Sequence, residues 1–332
     1  MEISYARSSL LGSYAYCQLK TYITYNLGIQ EPSQLKANLG TITHKALEIL
    51  ANCKKQIQDN PKNKKFIFND TDFGEIKYSY KTLMSEEFVK TILNLSYEYY
   101  TKNTPHLNYI RNEHYPFCEK MVDACLNINS GQFDPRKMNI LQAECPFDLE
   151  VKQPWANGLR LKGTMDLLTL GDSDTIEYVD YKTGARKDWA TGEIKDLPKL
   201  QKDIQLLLYY YAIRQIFPQY KNVIMTIFFL RDGGPFTVLY DSKDEEYFMN
   251  ELKRLYIEIK NNKNPKPINR WRSDFRCQKL CHYYKTNWPE TKTNICQYVE
   301  DNIKLYGIEE TTQNLKKKGF ETSFYQSPGS VK

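Results

Sequence analysis

Ile176-Glu177-Tyr178-Val179-Asp180-Tyr181-Lys182-Thr183-Gly184 is a β-branched and aromatic run that stops at a glycine, and it carries Asp180 and Lys182 two residues apart. On a strand that spacing puts a carboxylate and an ammonium on one face. Just upstream lies Leu159-Arg160-Leu161-Lys162-Gly163-Thr164-Met165-Asp166-Leu167-Leu168-Thr169-Leu170, set off by the turn-like Gly171-Asp172-Ser173-Asp174. The two runs read as an antiparallel hairpin. If Leu170 pairs with Ile176, Asp166 falls opposite Asp180 and on its face. A slip of one residue would send them to opposite faces.

Two carboxylates and a lysine at a strand end are what metal-assisted attack on a phosphodiester needs. Oxygen ligands hold a hard divalent cation, which neutralises charge on the phosphoryl oxygens, and the lysine can orient a water. Taken alone, a D-x-K is more simply an ordinary surface ion pair of little energetic weight. The rest of the chain has to decide.

At 332 residues the chain has room for one large domain or two ordinary ones. Hydrophobic content of 41% with 26% charged residues is that of a soluble globular protein, and no apolar run reaches membrane-spanning length. Met1 to Arg7 lack the pattern of a signal peptide, so a cytoplasmic location is expected. A net charge of +6 permits an acidic partner without demanding one. The 26 Tyr and 15 Phe among many lysines suit stacking on bases beside a cationic groove. Eight cysteines do not make a secreted disulfide framework. There is no internal repeat, and no G-x-x-x-x-G-K-[ST] phosphate loop, so nothing points to an NTP-driven motor.

In chain order, Ser8 or Ser9 caps a helix expected to run to a break at Gly28, with Cys17 on its apolar side. A second helix follows Asn38-Leu39-Gly40-Thr41 and places His44, Leu47 and Glu48 on one face. An isolated histidine is more often a packing group than a ligand. Residues 53–140 read as a mainly helical insertion, with polar loops over 58–65, a helix over 85–100 and a less regular stretch containing Pro105, Pro116 and Pro135. Order returns with a strand over 145–151, the hairpin, and one helix over 198–216 that puts Gln205 and Tyr209 on a shared face. A buried strand over 222–230, a Gly233–Gly234 turn into 236–240, and an amphipathic helix over 243–261 follow. This pattern predicts an α/β fold with a mixed sheet.

The carboxyl-terminal region holds Cys277 and Cys281 as C-x3-C, and Cys296 after fourteen further residues. Three cysteines so close suggest metal–thiolate ligation, with Cys17 as a fourth ligand only if the chain ends meet in space. Four thiolates suit a structural zinc or an iron–sulfur cluster. Reduced, unligated cysteines are the alternative.

The order of these pieces resembles the RecB/AddB-like branch of the PD-(D/E)XK nucleases. It is most similar to the free-standing iron–sulfur members, including the nucleases of CRISPR adaptation and related phage exonucleases. The motifs that carry the likeness are Ser4 to Cys17, Leu39-Gly40-Thr41-Ile42-Thr43-His44, Gly163-Thr164-Met165-Asp166, Val179 to Gly184, Gln205-Leu206-Leu207-Leu208-Tyr209 and the late cysteines. The resemblance covers about residues 1–50 and 140–300. It implies a restriction-endonuclease-like core in which His44, Asp166, Asp180 and the Tyr181 carbonyl ligate Mg²⁺ or Mn²⁺ and Lys182 is the catalytic lysine. Gln205 and Tyr209 would match a Q-x-x-x-Y helix that lies beside the active site and touches DNA, and Glu144 would be an accessory acid. Cys17, Cys277, Cys281 and Cys296 would hold a 4Fe–4S cluster stapling the two ends together. The departure is in cysteine spacing, since the family usually shows a C-x2-C with a third cysteine soon after.

The domain layout so implied is 1–52 (helices with Cys17 and His44), 53–140 (insertion), 141–262 (nuclease core), 263–300 (cysteine segment) and 301–332 (Lys-rich tail). The expected function is a metal-dependent exonuclease acting on DNA ends, single-stranded by preference, in recombination or repair, alongside a helicase or recombination partner. A structure-specific endonuclease or CRISPR pre-spacer trimmer is the alternative within the class. A non-catalytic iron–sulfur DNA-binding subunit is the alternative outside it, and the intact His/Asp/Asp/Lys set speaks against it.

Overall fold

A computed structural model describes residues 1–172, 174–187, 192–231, 234–268 and 273–317. Its strands are β1 (Tyr5–Ala6), β2 (Phe66–Asp70), β3 (Gly74–Tyr78), β4 (Ile140–Glu150), β5 (Arg160–Leu170), β6 (Thr175–Lys182), β7 (Asn222–Phe229) and β8 (Gly234–Leu239). The chain forms two compact units. A central unit comprises Gln34–Phe147 and Thr164–Glu245, and a terminal unit comprises Met1–Ser33, Asp148–Gly163 and the described part of Glu246–Lys332. No helix among the described residues is long and apolar enough to cross a membrane.

In the central unit the expected hairpin forms in the expected register. β5 runs antiparallel to β6, with Leu170 opposite Ile176 and Leu167 opposite Val179. β6 then runs parallel to β7, β7 is antiparallel to β8, and β4 pairs with β5, so the sheet is mixed. Ile176 and Tyr178 to Tyr181 are buried, as a strand covered on both faces requires. Joining the parallel pair β6 and β7 takes a crossover, supplied by helices Leu197–Gln201 and Ile204–Ile216. The single helix read over 198–216 is interrupted because Asp203 adopts an extended backbone and its carboxylate accepts the Gln205 N–H at 2.9 Å. That cap restarts the helix and sets Gln205 in its first turn.

The long helix Leu35–Asp59 already contains Asn38-Leu39-Gly40-Thr41, the stretch it was expected to follow. Its Leu39, Ile42 and Leu47 share one core with Leu167, Val179, Tyr181 and Phe228 of the sheet. Gly40 makes the approach possible, because a Cβ there would fall 2.6 Å from Thr183 Oγ1. Within the stretch read as a mainly helical insertion, β2 and β3 form an antiparallel hairpin. The sequence signal was short, only Phe66 and Asp70 on one strand and Ile76 and Tyr78 on the other being buried. Tyr78 anchors it by donating to Cys53 O at 2.9 Å and Gln56 Oε1 at 2.6 Å. The stretch around Pro116 is helical, Arg111–Asn127. The proline forfeits one backbone bond, while Cys118, Met121, Val122 and Cys125 bury themselves in the same core.

In the terminal unit β1 pairs in parallel with the start of β5, Tyr5 beside Arg160. The helix expected over 8–27 is broken at Cys17, whose φ of −158° and ψ of 105° are extended. It resumes as Gln18–Thr21 and a wider-wound turn Tyr22–Asn26, and Gly28 at φ 76° ends it. The late helix Ile295–Lys317 is tied to this segment by a 2.7 Å bond between the Tyr22 and Thr312 hydroxyls. Nearby, Tyr283 OH donates to Ile29 O at 2.6 Å.

Candidate active site

The β5–β6 ladder closes at Leu167–Val179, which leaves Asp166 and the backbone beyond Asp180 available for other partners. Asp166 Oδ2 accepts the Tyr181 N–H at 2.8 Å. One helical turn after Gly40, His44 brings Nδ1 to 3.5 Å from the same oxygen. Its ring stands edge-on to Tyr181, centroids 6.2 Å apart. β4 contributes Glu144. One donor atom each from His44, Glu144 and Asp166 lies within 4.8 Å of the others, the only such trio of potential ligands among the described residues. Glu144 sits at φ 46°, in the left-handed region. A non-glycine residue there carries strain of ~1–3 kcal/mol, an outlier that tends to occur at functional sites.

Behind this trio, Asp180 is almost fully buried. Its Oδ1 accepts Tyr178 OH at 2.7 Å and Gln205 Nε2 at 3.0 Å. Lys182 Nζ lies 2.6 Å from Oδ2 as an ion pair, at an angle that leaves Oδ2 without a properly directed hydrogen bond. Lys182 Nζ also donates to Gln205 Oε1 at 3.1 Å. Gln205 therefore bridges the carboxylate and the ammonium, and only one orientation of its amide satisfies both.

The electrostatics describe a site with surplus negative charge. Burial, with Asp166 and Glu48 nearby, pushes Glu144 up to about 8. Burial also raises Asp180, against the pull of Lys182. At Asp166 burial is outweighed by His44, Lys182 and the Tyr181 N–H, which hold it below the usual carboxylate range. Burial would lower His44, yet Asp166 keeps it raised. Lys182 is likewise held above its ordinary value, despite burial, by Asp180 and Asp166. Imidazole nitrogen and carboxylate oxygens held this close together fit a hard divalent ion.

His44, Glu144, Asp166, Asp180, Tyr181, Lys182 and Gln205, singled out in the sequence, are brought together here. Glu144, read only as an accessory acid, stands in the trio, whereas Asp180 is engaged by Tyr178, Gln205 and Lys182. Tyr178 had no sequence signal beyond its place two residues before Asp180. A strand residue's N–H and C=O point to the same side, so the Tyr181 carbonyl turns toward Asp166, as its N–H does. Tyr209 is 7% exposed. Its ring packs edge-on against Tyr178 at 5.3 Å and Phe147 at 5.7 Å, so it presents no open face for a base.

In the terminal unit Cys17, Cys277, Cys281 and Cys296 line one cavity of about 20 Å³. No disulfide joins any of the cysteines. Cys17 Sγ accepts the Lys20 N–H at 3.5 Å, and burial raises the Cys281 thiol. A space of this size holds about one water, and among the described residues no cysteine set is drawn together at ligand separation. The donor chemistry suits thiolate-held metal, but the spacing does not, and the expected iron–sulfur staple is not supported by this arrangement.

The family model of the PD-(D/E)XK nuclease superfamily matches residues 8–286, and the chain belongs to that superfamily. A nuclease acts on nucleic acid, and the Asp166, Asp180 and Lys182 constellation lies within the matched span. Among solved structures, a candidate exonuclease from Eubacterium rectale is similar at 11% identity, covering 87% of this chain and 90% of that one with a TM-score of 0.44. The protein SSO0001 is similar at 13% identity, covering 83% and 96%, with a TM-score of 0.27. Both scores are too low to define the fold by themselves. A search of curated proteins finds no match.

Proposed function

We propose that the protein is a Mg²⁺- or Mn²⁺-dependent DNA exonuclease that hydrolyses phosphodiester bonds at DNA ends, with single strands preferred. The observation that carries this reading is the Gln205 bridge, which holds Lys182 Nζ beside Asp180 next to the His44/Glu144/Asp166 trio. His44, Glu144, Asp166 and the Tyr181 carbonyl would hold the cation, and Asp180 Oδ2 could join them only by giving up its ion pair with Lys182. Such a cation supplies charge neutralisation at the scissile phosphate and a more acidic water. Lys182, charged and fixed by Gln205, orients the attacking water and faces the charge that builds on the phosphate. Tyr178 and Gln205 hold Asp180 in one rotamer, and Tyr209 supports Tyr178 from behind. End-directed cutting of DNA, and service in recombination or repair, rest on the motif order described above. A structure-specific endonuclease or pre-spacer trimmer would use the same residues.

The finer proposal, a 4Fe–4S cluster on Cys17, Cys277, Cys281 and Cys296, rests only on motif order and on those four residues lining one cavity, since their spacing in this structure does not fit it. Digestion of end-labelled linear and circular single-stranded DNA, with Mg²⁺, Mn²⁺ or EDTA, tests the main reading. Metal-dependent loss of the linear substrate alone is expected. Equal loss of circles would make the enzyme an endonuclease, and no cleavage of either would remove the nuclease assignment for this chain.

A further inference from the structure

The terminal unit contains a cleft of about 810 Å³ whose walls include Ser4, Tyr25, Asn26, Asn157, Lys260 and Gln313. That volume is in the range of ligand-binding clefts. Asn26 is 4% exposed; its amide nitrogen donates to Glu2 O at 2.9 Å, while its Oδ1 has no hydrogen-bond partner. A buried acceptor without a donor is costly, and here it belongs to the wall of the cleft.

From Tyr25 of that wall, ring contact leads to a ridge of aromatic and cationic side chains just outside the lining. The Tyr25 ring stands edge-on to Tyr5, centroids 6.4 Å apart. The Arg7 guanidinium lies 5.7 Å and Lys162 Nζ 5.6 Å from the Tyr5 centroid. The β1–β5 register sets Tyr5 beside Arg160, and Lys162 follows two residues later on the same face. Also lining the cleft, Lys260 lies over the Tyr256 ring at 5.5 Å. Of the carboxylates nearby, Asp148 and Glu309 have cations of their own, whereas Glu2 also lines the cleft. Asp148 pairs with Arg160 at 2.6 Å and Lys162 at 3.1 Å, and Glu309 pairs with Lys263.

Aromatic rings beside Arg7 and Lys260, the two of these cations without a carboxylate partner among the described residues, with amides along the wall, are the chemistry of a single-strand groove: rings for bases, cations for phosphates, amides for base edges. A duplex keeps its base faces stacked inside and cannot use the rings. A lone nucleotide would fill the cleft without engaging the Tyr5 ridge. We infer that the cleft and ridge together bind single-stranded DNA, through terminal-unit residues that take no part in the active site. The choice of DNA as occupant rests on the nuclease reading above.

The test is fluorescence anisotropy of a short labelled oligothymidylate with the full chain in EDTA, so that nothing is cut. Tyr5→Ala should weaken binding about tenfold, as loss of one stacked base does, while Tyr5→Phe keeps the ring and should bind as the native protein. Arg7→Gln with Lys260→Gln, both at exposed positions, should flatten the slope of log affinity against log salt by about 1.4, near 0.7 per phosphate contact on a single strand. If Tyr5→Ala fails to fold, the exposed double variant decides. Native affinity and native salt slope in that double variant would overturn the inference. So would a blunt duplex that binds as tightly as the single strand. A native protein that cuts no DNA with Mn²⁺ yet shows these losses would contradict the nuclease reading and leave the single-strand groove standing.

Discussion

Replacing Gly40 with alanine probes how closely the His44 helix must approach the end of β6. In an open helix the change gains about 1 kcal/mol of stability. Here the new methyl would meet Thr183 Oγ1 at 2.6 Å and Thr183 Cβ at 3.7 Å. Either Thr183 leaves its rotamer or the helix backs away, and overpacking of this kind costs ~1–3 kcal/mol. The net expectation for Gly40→Ala is a loss of about 0–2 kcal/mol. Thr183→Ala deletes the close oxygen, so in that background Gly40→Ala should show a gain of about 1 kcal/mol. The two sites should thus couple by ~1–3 kcal/mol in a double-mutant cycle measured by urea unfolding. Activity should follow the same pattern. His44 lies one turn beyond Gly40 and 3.5 Å from Asp166, so a retreating helix should lower cleavage at least tenfold, with recovery in the double variant. Tight positioning of this kind is worth ~10²-fold per ångström of misplacement. If Gly40→Ala gains the same ~1 kcal/mol in both backgrounds, the close approach is not a constraint and the packing argument fails.

Tyr178→Phe keeps the ring against Tyr209 but removes the donor to Asp180 Oδ1. Cleavage should fall roughly tenfold to a hundredfold, matching a charge-assisted bond of ~1.5–3 kcal/mol, and native activity would deny Tyr178 its positioning role. Tyr209→Ala should lower the melting temperature, because an aromatic core truncation costs ~3–5 kcal/mol, and leave DNA affinity of the folded fraction unchanged; weaker DNA binding at native stability would mean the residue touches substrate. Mn²⁺ should raise the melting temperature of the native chain and not of Asp166→Asn, since only a group that binds the folded state stabilises it. A purified chain bearing the cluster should be brown, and Cys17→Ser should lose iron and stability together; a colourless, iron-free native protein would remove the cluster.

The active-site strand was legible because its evidence is local. Asp180 and Lys182 are two residues apart, and the register that sets Asp166 near them is fixed by a short turn and the Leu170–Ile176 pairing. His44 was legible only through motif order, since nothing near it in the chain says that its helix reaches the sheet; Gly40 and Thr183 make that contact. The place of Glu144 beside His44 and Asp166 was not legible, because it depends on a left-handed backbone inside a strand, a conformation that residue pattern does not announce. Tyr209, expected to touch DNA, is packed among rings in this structure. Helical spacing puts it on the Gln205 face, but spacing cannot say whether a face meets solvent or the Tyr178 and Phe147 rings. The breaks at Cys17 and Asp203 were hidden inside continuous apolar periodicity, which survives a change of helix direction. The β2–β3 hairpin was hidden by having only two buried residues per strand.

The central claim is that the Gln205-bridged Asp180 and Lys182 serve a metal-dependent nuclease centre. The most direct measurement is cleavage of an end-labelled single strand with Mn²⁺ by the native chain and by Lys182→Ala, together with Mn²⁺ binding to both by calorimetry. Lys182 is not a ligand, so Lys182→Ala should bind Mn²⁺ about as the native chain does while cleavage falls on the order of 10²–10³-fold, the worth of one preorganised donor. Cleavage by Lys182→Ala within a few-fold of native, with Mn²⁺ bound equally by both, would contradict the account.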